Sequence, residues 1–118
     1  MKDFRSKTNI IACTREDQRE TLYTCPSNCT ARVPLVYLVN VIGNCTITFE
    51  WYVASQDTHF FILSEKNLST SGFIQFSDGY IVLNPGDKLE VTPSGNATPQ
   101  IDALCTVEET FIGGSPNA

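Results

Sequence analysis

The apolar positions of this chain recur every second residue over short runs, and Gly, Pro, Asn and Asp separate the runs. A two-residue period sends alternate side chains to opposite faces of an extended strand, so it marks half-buried β-structure. The clearest run is Cys45 to Val53, where Cys45, Ile47, Phe49, Trp51 and Val53 alternate with Thr46, Thr48, Glu50 and Tyr52. One face is apolar and the other mostly polar. Upstream, Val33 to Val41 is apolar on both faces, which suits a central strand. Ile42-Gly43-Asn44 supplies a turn, and the two runs are expected to form a hairpin.

Further strands are expected at His59 to Leu63, Phe73 to Phe76, Tyr80 to Leu83 and Lys88 to Thr92, with a loop over Ser64 to Ser71. Asn84-Pro85-Gly86-Asp87 has the chemistry of a type II turn, because Pro presets φ and Gly tolerates positive φ. The last strand runs over Ile101 to Phe111, with Ile101, Ala103, Cys105, Val107, Glu109 and Phe111 on one face. Asn9 to Cys13 and Glu20 to Cys25 are expected to pair around Thr14 to Arg19. This succession of short strands predicts an all-β sandwich or barrel of about eight strands. Residues 1–19 form an N-terminal arm or edge strand, 20–112 the β-sandwich domain, and 113–118 a flexible C-terminal tail.

Composition agrees with a packed domain: 42% of residues are hydrophobic and 18% charged, the balance of a globular chain and not of a disordered one. The formal net charge of -5 disfavours nucleic acid and anionic membrane as partners. The longest apolar stretch is about half of what a bilayer span needs. The polar segment Met1 to Arg5 is followed by no signal-peptide core, so export is not expected. On that ground the Asn-x-Ser/Thr triplets at Asn28, Asn44, Asn67 and Asn96 are read as turn and strand residues and not as glycosylation sites.

Candidate chemistry is sparse. His59 is the sole histidine, and no nucleophile elbow accompanies it, so no catalytic residue is assigned and no enzyme is expected. Cys25 and Cys29 have a spacing seen in zinc sites, but no second close ligand pair completes a tetrahedron with Cys13, Cys45 or His59. No metal or other cofactor is expected. The odd number of cysteines, Cys13, Cys25, Cys29, Cys45 and Cys105, favours reduced thiols, with a Cys45–Cys105 bridge left as an alternative. Glu108 and Glu109 point to opposite faces and are expected to be solvated or interface charges. Asp78 and Asp87 read as turn formers.

Aromatic residues are dense between Phe49 and Tyr80. Strand alternation keeps Trp51 and Tyr52, and likewise Phe60 and Phe61, from entering one core together. Some rings must therefore lie outside it, where aromatics are enriched at protein interfaces. Tyr37, Trp51, Tyr52, Phe60, Phe73, Tyr80 and Phe111 are the candidate interface residues. A carbohydrate-binding module that stacks sugars on Trp51, Tyr52 or Tyr80 is the competing use.

Three segments carry a family resemblance: Thr21-Leu22-Tyr23-Thr24-Cys25-Pro26, the run Tyr37-Leu38-Val39-Asn40-Val41, and Ile81-Val82-Leu83-Asn84-Pro85-Gly86-Asp87-Lys88-Leu89-Glu90-Val91. In this order they resemble small virion proteins of tailed bacteriophages, over about Glu20 to Phe111. The resemblance implies an antiparallel β-sandwich, jelly-roll-like or immunoglobulin-like, present in many copies on a virion assembled in the host cytoplasm. Capsid decoration is the first expectation; a neck, head-tail connector or tail component is the alternative. Its partners would be copies of itself and other virion proteins, with no nucleic acid and no membrane.

Overall fold

The computed structural model describes residues 4–112. Nine strands are found there: β1 (Phe4–Cys13), β2 (Glu20–Thr24), β3 (Cys29–Asn40), β4 (Cys45–Val53), β5 (Thr58–Leu68), β6 (Phe73–Phe76), β7 (Ile81–Leu83), β8 (Lys88–Ser94) and β9 (Ile101–Phe111). One turn of 3-10 helix at Ala54–Gln56 joins β4 to β5. The expected tail over 113–118 lies outside the described residues.

The strands form two antiparallel sheets. One has the order β1-β9-β3-β6, with β7 also on β3; the other has the order β2-β8-β4-β5. The pairs β4 with β5, β3 with β6 and β7, β2 with β8, and β1 with β9 are nested about the β4–β5 hairpin. The chain is thus one long antiparallel ribbon rolled over itself, with β9 meeting β3 and β8 meeting β4 to close each sheet. That winding is the jelly roll, the first of the two expected sandwiches. Counting β6 and β7 as one broken strand gives the expected eight.

Pro34 accounts for the break. It has no N–H to give the ladder. On one side of it β3 bulges against β9 between Arg32 and Leu35. On the other side the facing strand leaves the sheet between Phe76 and Ile81, and the excursion Ser77 to Tyr80 becomes a loop.

Alternation places the core correctly. Ile101, Ala103, Cys105, Val107, Glu109 and Phe111 all face inward and are buried, as are Cys45, Ile47 and Phe49. They meet Leu22, Val33, Val36, Leu38, Leu83, Leu89 and Val91 from the other strands. The turn at Asn84 to Asp87 closes with an Asp87 N to Asn84 O bond of 3.0 Å, and Gly86 takes φ +87°.

Two pairings and the extent of one strand differ from expectation. β1 and β2 do not pair with each other but with β9 and β8, in different sheets. β3 and β4 likewise make no hairpin: the turn after Asn40 carries the chain across the sandwich. Asn40 is fully buried at this crossing, and its Nδ2 donates to the carbonyls of Gly43, Leu68 and Ser69. The strand begun at His59 also continues through the expected loop to Leu68, with two bulges that absorb extra residues against β4 and with Glu65 at φ +52°. Bulges of this kind twist an edge strand away from unwanted pairing.

Candidate assembly surface

The broken strand leaves the sandwich open along one side. Between edge strand β5 and the β6–β7 edge lies a cleft of about 400 Å³, reaching in to Val33, Val36 and Trp51. Phe60, Ile62, Phe76, Tyr80 and Ile81 form its walls and rim. Phe60 and Tyr80 are 61% and 59% exposed, and Phe60 stands opposite Trp51 in the β4–β5 ladder. Arg32 lies over the Tyr80 ring, 4.9 Å from its centroid, and is ion-paired with Glu108.

A second apolar surface crosses the outer face of the β1-containing sheet. Ile10, Leu104 and Tyr37 are in register on β1, β9 and β3. The Phe73 ring stacks on Tyr37 at 5.2 Å and is 55% exposed. The seven candidate rings therefore divide. Tyr37 and Phe73 belong to this face, and Trp51, Phe60 and Tyr80 to the cleft.

Two of the seven leave the set of free apolar rings. Phe111 is 8% exposed and belongs to the core, with the Arg5 guanidinium 5.0 Å from its centroid. Tyr52 is occupied: its hydroxyl donates to Asp57 Oδ1 at 2.5 Å, and its ring lies 4.8 Å from that of His59. Trp51 also packs against the core, and its indole N–H donates to Asp87 Oδ2 at 3.2 Å. Asp87 does more than form a turn. Its carboxylate also accepts from the Ala54 and Asn84 amides, which ties the β7–β8 turn to the end of β4.

Glu108 and Glu109 do point to opposite faces, but Glu109 is not solvated. It is fully buried and accepts hydrogen bonds from Tyr23 Oη and, at 2.5 Å, from Arg5 Nε, with Lys7 Nζ 3.7 Å away. Burial alone pushes its carboxyl up, yet the Tyr23 and Arg5 bonds and the two nearby cations outweigh that and hold it below the ordinary glutamate value. Burial, with the same bond, pushes the Tyr23 phenol up.

All five cysteines are buried free thiols. Burial pushes Cys13 to about 12 and Cys25 and Cys105 to about 11, and it also raises Cys29 and Cys45. Cys45 and Cys105 are both free, so the alternative bridge between them is not formed.

Among the described residues, the group that brings three metal-type donors together is Glu50, His59 and Glu90 on the outer face of the second sheet, with no cysteine in it. His59 is partly exposed, as expected, and its Nδ1 lies 2.8 Å from Glu90 Oε1. Local pattern could not reveal this cluster, because its members come from β4, β5 and β8.

No protein-family model matches the chain, and no curated protein matches it in sequence. Solved structures do share its fold. It is similar to a chain from the disulfide-linked pili of Bacillus endospore appendages, with TM-score 0.59 and 14% identity over 96% of this chain and 92% of that one. A capsid structure of a Helicobacter pylori bacteriophage gives TM-score 0.59 and 12% identity over 88% and 86%. Infectious bursal disease virus gives TM-score 0.55 and 13% identity over 95% of this chain and 34% of that one. At these identities the likeness is one of fold. No helix among the described residues is long and apolar enough to cross a membrane.

Proposed function

We propose that this chain is a non-enzymatic structural protein of a tailed-phage virion, and that it serves first as a decoration protein on the capsid. The observation that carries the reading is the open cleft with Phe60 and Tyr80 exposed at its rim. Its occupant is an extended apolar segment of a neighbouring shell protein. The cleft offers apolar walls together with two strand edges, and an extended segment is the partner that fills the former while bonding to the latter. The Ile10–Leu104–Tyr37–Phe73 face adds area toward the roughly 1,600 Å² of a standard interface. Folds shared with a pilus and a phage capsid support an assembly role. The resemblance of the Thr21, Tyr37 and Ile81 segments to tailed-phage virion proteins supports the particle.

Placement at the neck, connector or tail is the alternative, since one module can be repeated by symmetry at any of these. The glycan reading has less support: Trp51 is turned to the core and bonded to Asp87, Tyr52 is bonded to Asp57, and Arg32 lies over the ring of Tyr80. Mass spectrometry of purified virions, with sizing of the free protein, tests the proposal. It expects the chain in particles in many copies. A strictly monomeric protein absent from particles overturns it.

A further inference from the structure

Glu50 and Glu90 are direct cross-strand partners on the outer face of the second sheet, yet they are only 3% and 5% exposed. Like charges facing each other across strands destabilise a sheet, and a buried carboxylate needs a cation beside it. Arg19 supplies one. Its Nε and Nη2 donate to the two oxygens of Glu50, both at 3.2 Å, and its Nε lies 3.7 Å from Glu90. One guanidinium against two carboxylates leaves a negative charge over. His59 stands at that point, with Nδ1 2.8 Å from Glu90 Oε1 and 3.8 Å from Glu50 Oε2.

We infer that Glu50, His59 and Glu90 bind one divalent first-row cation, with Zn²⁺ the ion the donor set suits best. One imidazole and two carboxylates give three protein ligands and leave a fourth, open position. Tetrahedral zinc with bonds of 2.0–2.1 Å sets neighbouring donor atoms about 3.3 Å apart. The 2.8 and 3.8 Å spacings bracket that value, and all three donors lie within 4.8 Å of one another. The ion takes the place of the Nδ1 proton. Each Glu50 oxygen keeps a further lone pair beyond the one Arg19 uses, so Arg19 orients the ligating carboxylate from outside the coordination sphere. Once bound, the ion ties bulged edge strand β5 to β4 and β8.

The full chain, stripped of metal, is titrated with ZnCl₂ and examined by elemental analysis, thermal melting and zinc K-edge absorption. One zinc per chain is expected, with nitrogen and oxygen neighbours only and a rise in Tm of about 10 °C at a hundredfold excess over Kd. His59→Ala and Glu90→Gln each weaken binding by about tenfold or more. His59 is partly exposed, so its replacement keeps the test available should Glu90→Gln fail to fold. Sulfur in the first coordination shell, uptake indifferent to His59→Ala, or no uptake at millimolar zinc overturns the site.

Discussion

Tyr23 on β2 donates its phenolic proton to Glu109 on β9, and so a hydrogen bond between fully buried side chains links the two sheets at one end of the sandwich. Removing one member of such a pair leaves the other without its partner in a dry site. Tyr23→Phe is expected to cost about 1–3 kcal/mol in denaturant unfolding. Glu109→Ala, which leaves the buried Tyr23 hydroxyl without its acceptor while Arg5 stays solvated, is expected to cost a similar amount. Equal stability of the Phe variant and the parent would show that the bond contributes nothing net.

The same pair sets a pH dependence. Glu109 has a carboxyl held below its ordinary value, so the unfolded chain binds that proton more tightly than the folded one. Its contribution is complete above the unfolded value of about 4.3 and drains away as the pH falls through the folded value. Glu109→Gln should lower stability at neutral pH and flatten the acid limb of the stability profile. Parallel acid limbs for the two proteins would contradict this.

The thiols should be silent in the native state. With all five buried and pushed above their ordinary range, little reactive thiolate forms at pH 8. A thiol-reactive dye is expected to label none of them quickly in buffer and all of them in denaturant. One rapidly labelled cysteine in buffer would place a thiol at the surface.

Asp87 joins three donors: the Trp51 indole, the Ala54 amide and the Asn84 amide. Asp87→Ala is expected to lose about 1–3 kcal/mol, because two partly buried backbone amides and an indole lose their acceptor at once. Gly86→Ala acts on the same turn by another route: φ is +87°, and an added Cβ would come 3.1 Å from that of Ala54. Its expected cost is about 1–3 kcal/mol. Thermal melts rank the two, and a neutral Gly86→Ala would mean the turn can change type without loss.

At the cleft, Phe60→Ser combined with Tyr80→Ser replaces rings that are mostly in water already. Monomer stability should change by less than about 1 kcal/mol. Incorporation into particles should fall by an order of magnitude, as expected when aromatic anchors are removed from an interface. Full incorporation of the double variant would move the contact elsewhere.

Much of this fold was legible because a strand's faces are a local property. Alternation along Cys45 to Val53 and Ile101 to Phe111 placed the core side chains, and Pro85-Gly86 placed its turn. Pairing is not local. Nothing between Cys13 and Glu20, or between Asn40 and Cys45, records that the chain changes sheets at both places. The reading of Glu109 failed for a related reason: alternation pointed it inward, but charge argued for solvent, and the partners that hold it, Tyr23 and Arg5, lie 86 and 104 positions away. The Glu50–His59–Glu90 cluster was hidden in the same way. A signal existed in the unusual placing of Glu50 in the middle of the strongest strand, but its neighbours across the sheet depend on register. The cleft opened at Pro34 was hidden too, because it depends on which strand lies opposite.

The nesting of strand pairs has a mechanical consequence. β1 and β9 are the outermost turn of the ribbon, and Phe4 sits beside Thr110 in the ladder. A load applied between these two points meets the rungs one after another and peels them like a zip, whereas pulling along the strands would strain all of them together. Cargo grafted next to either position would leave from a single corner of the sandwich, and a short linker from 112 back to 4 would allow the backbone to be cut open elsewhere without disturbing the roll.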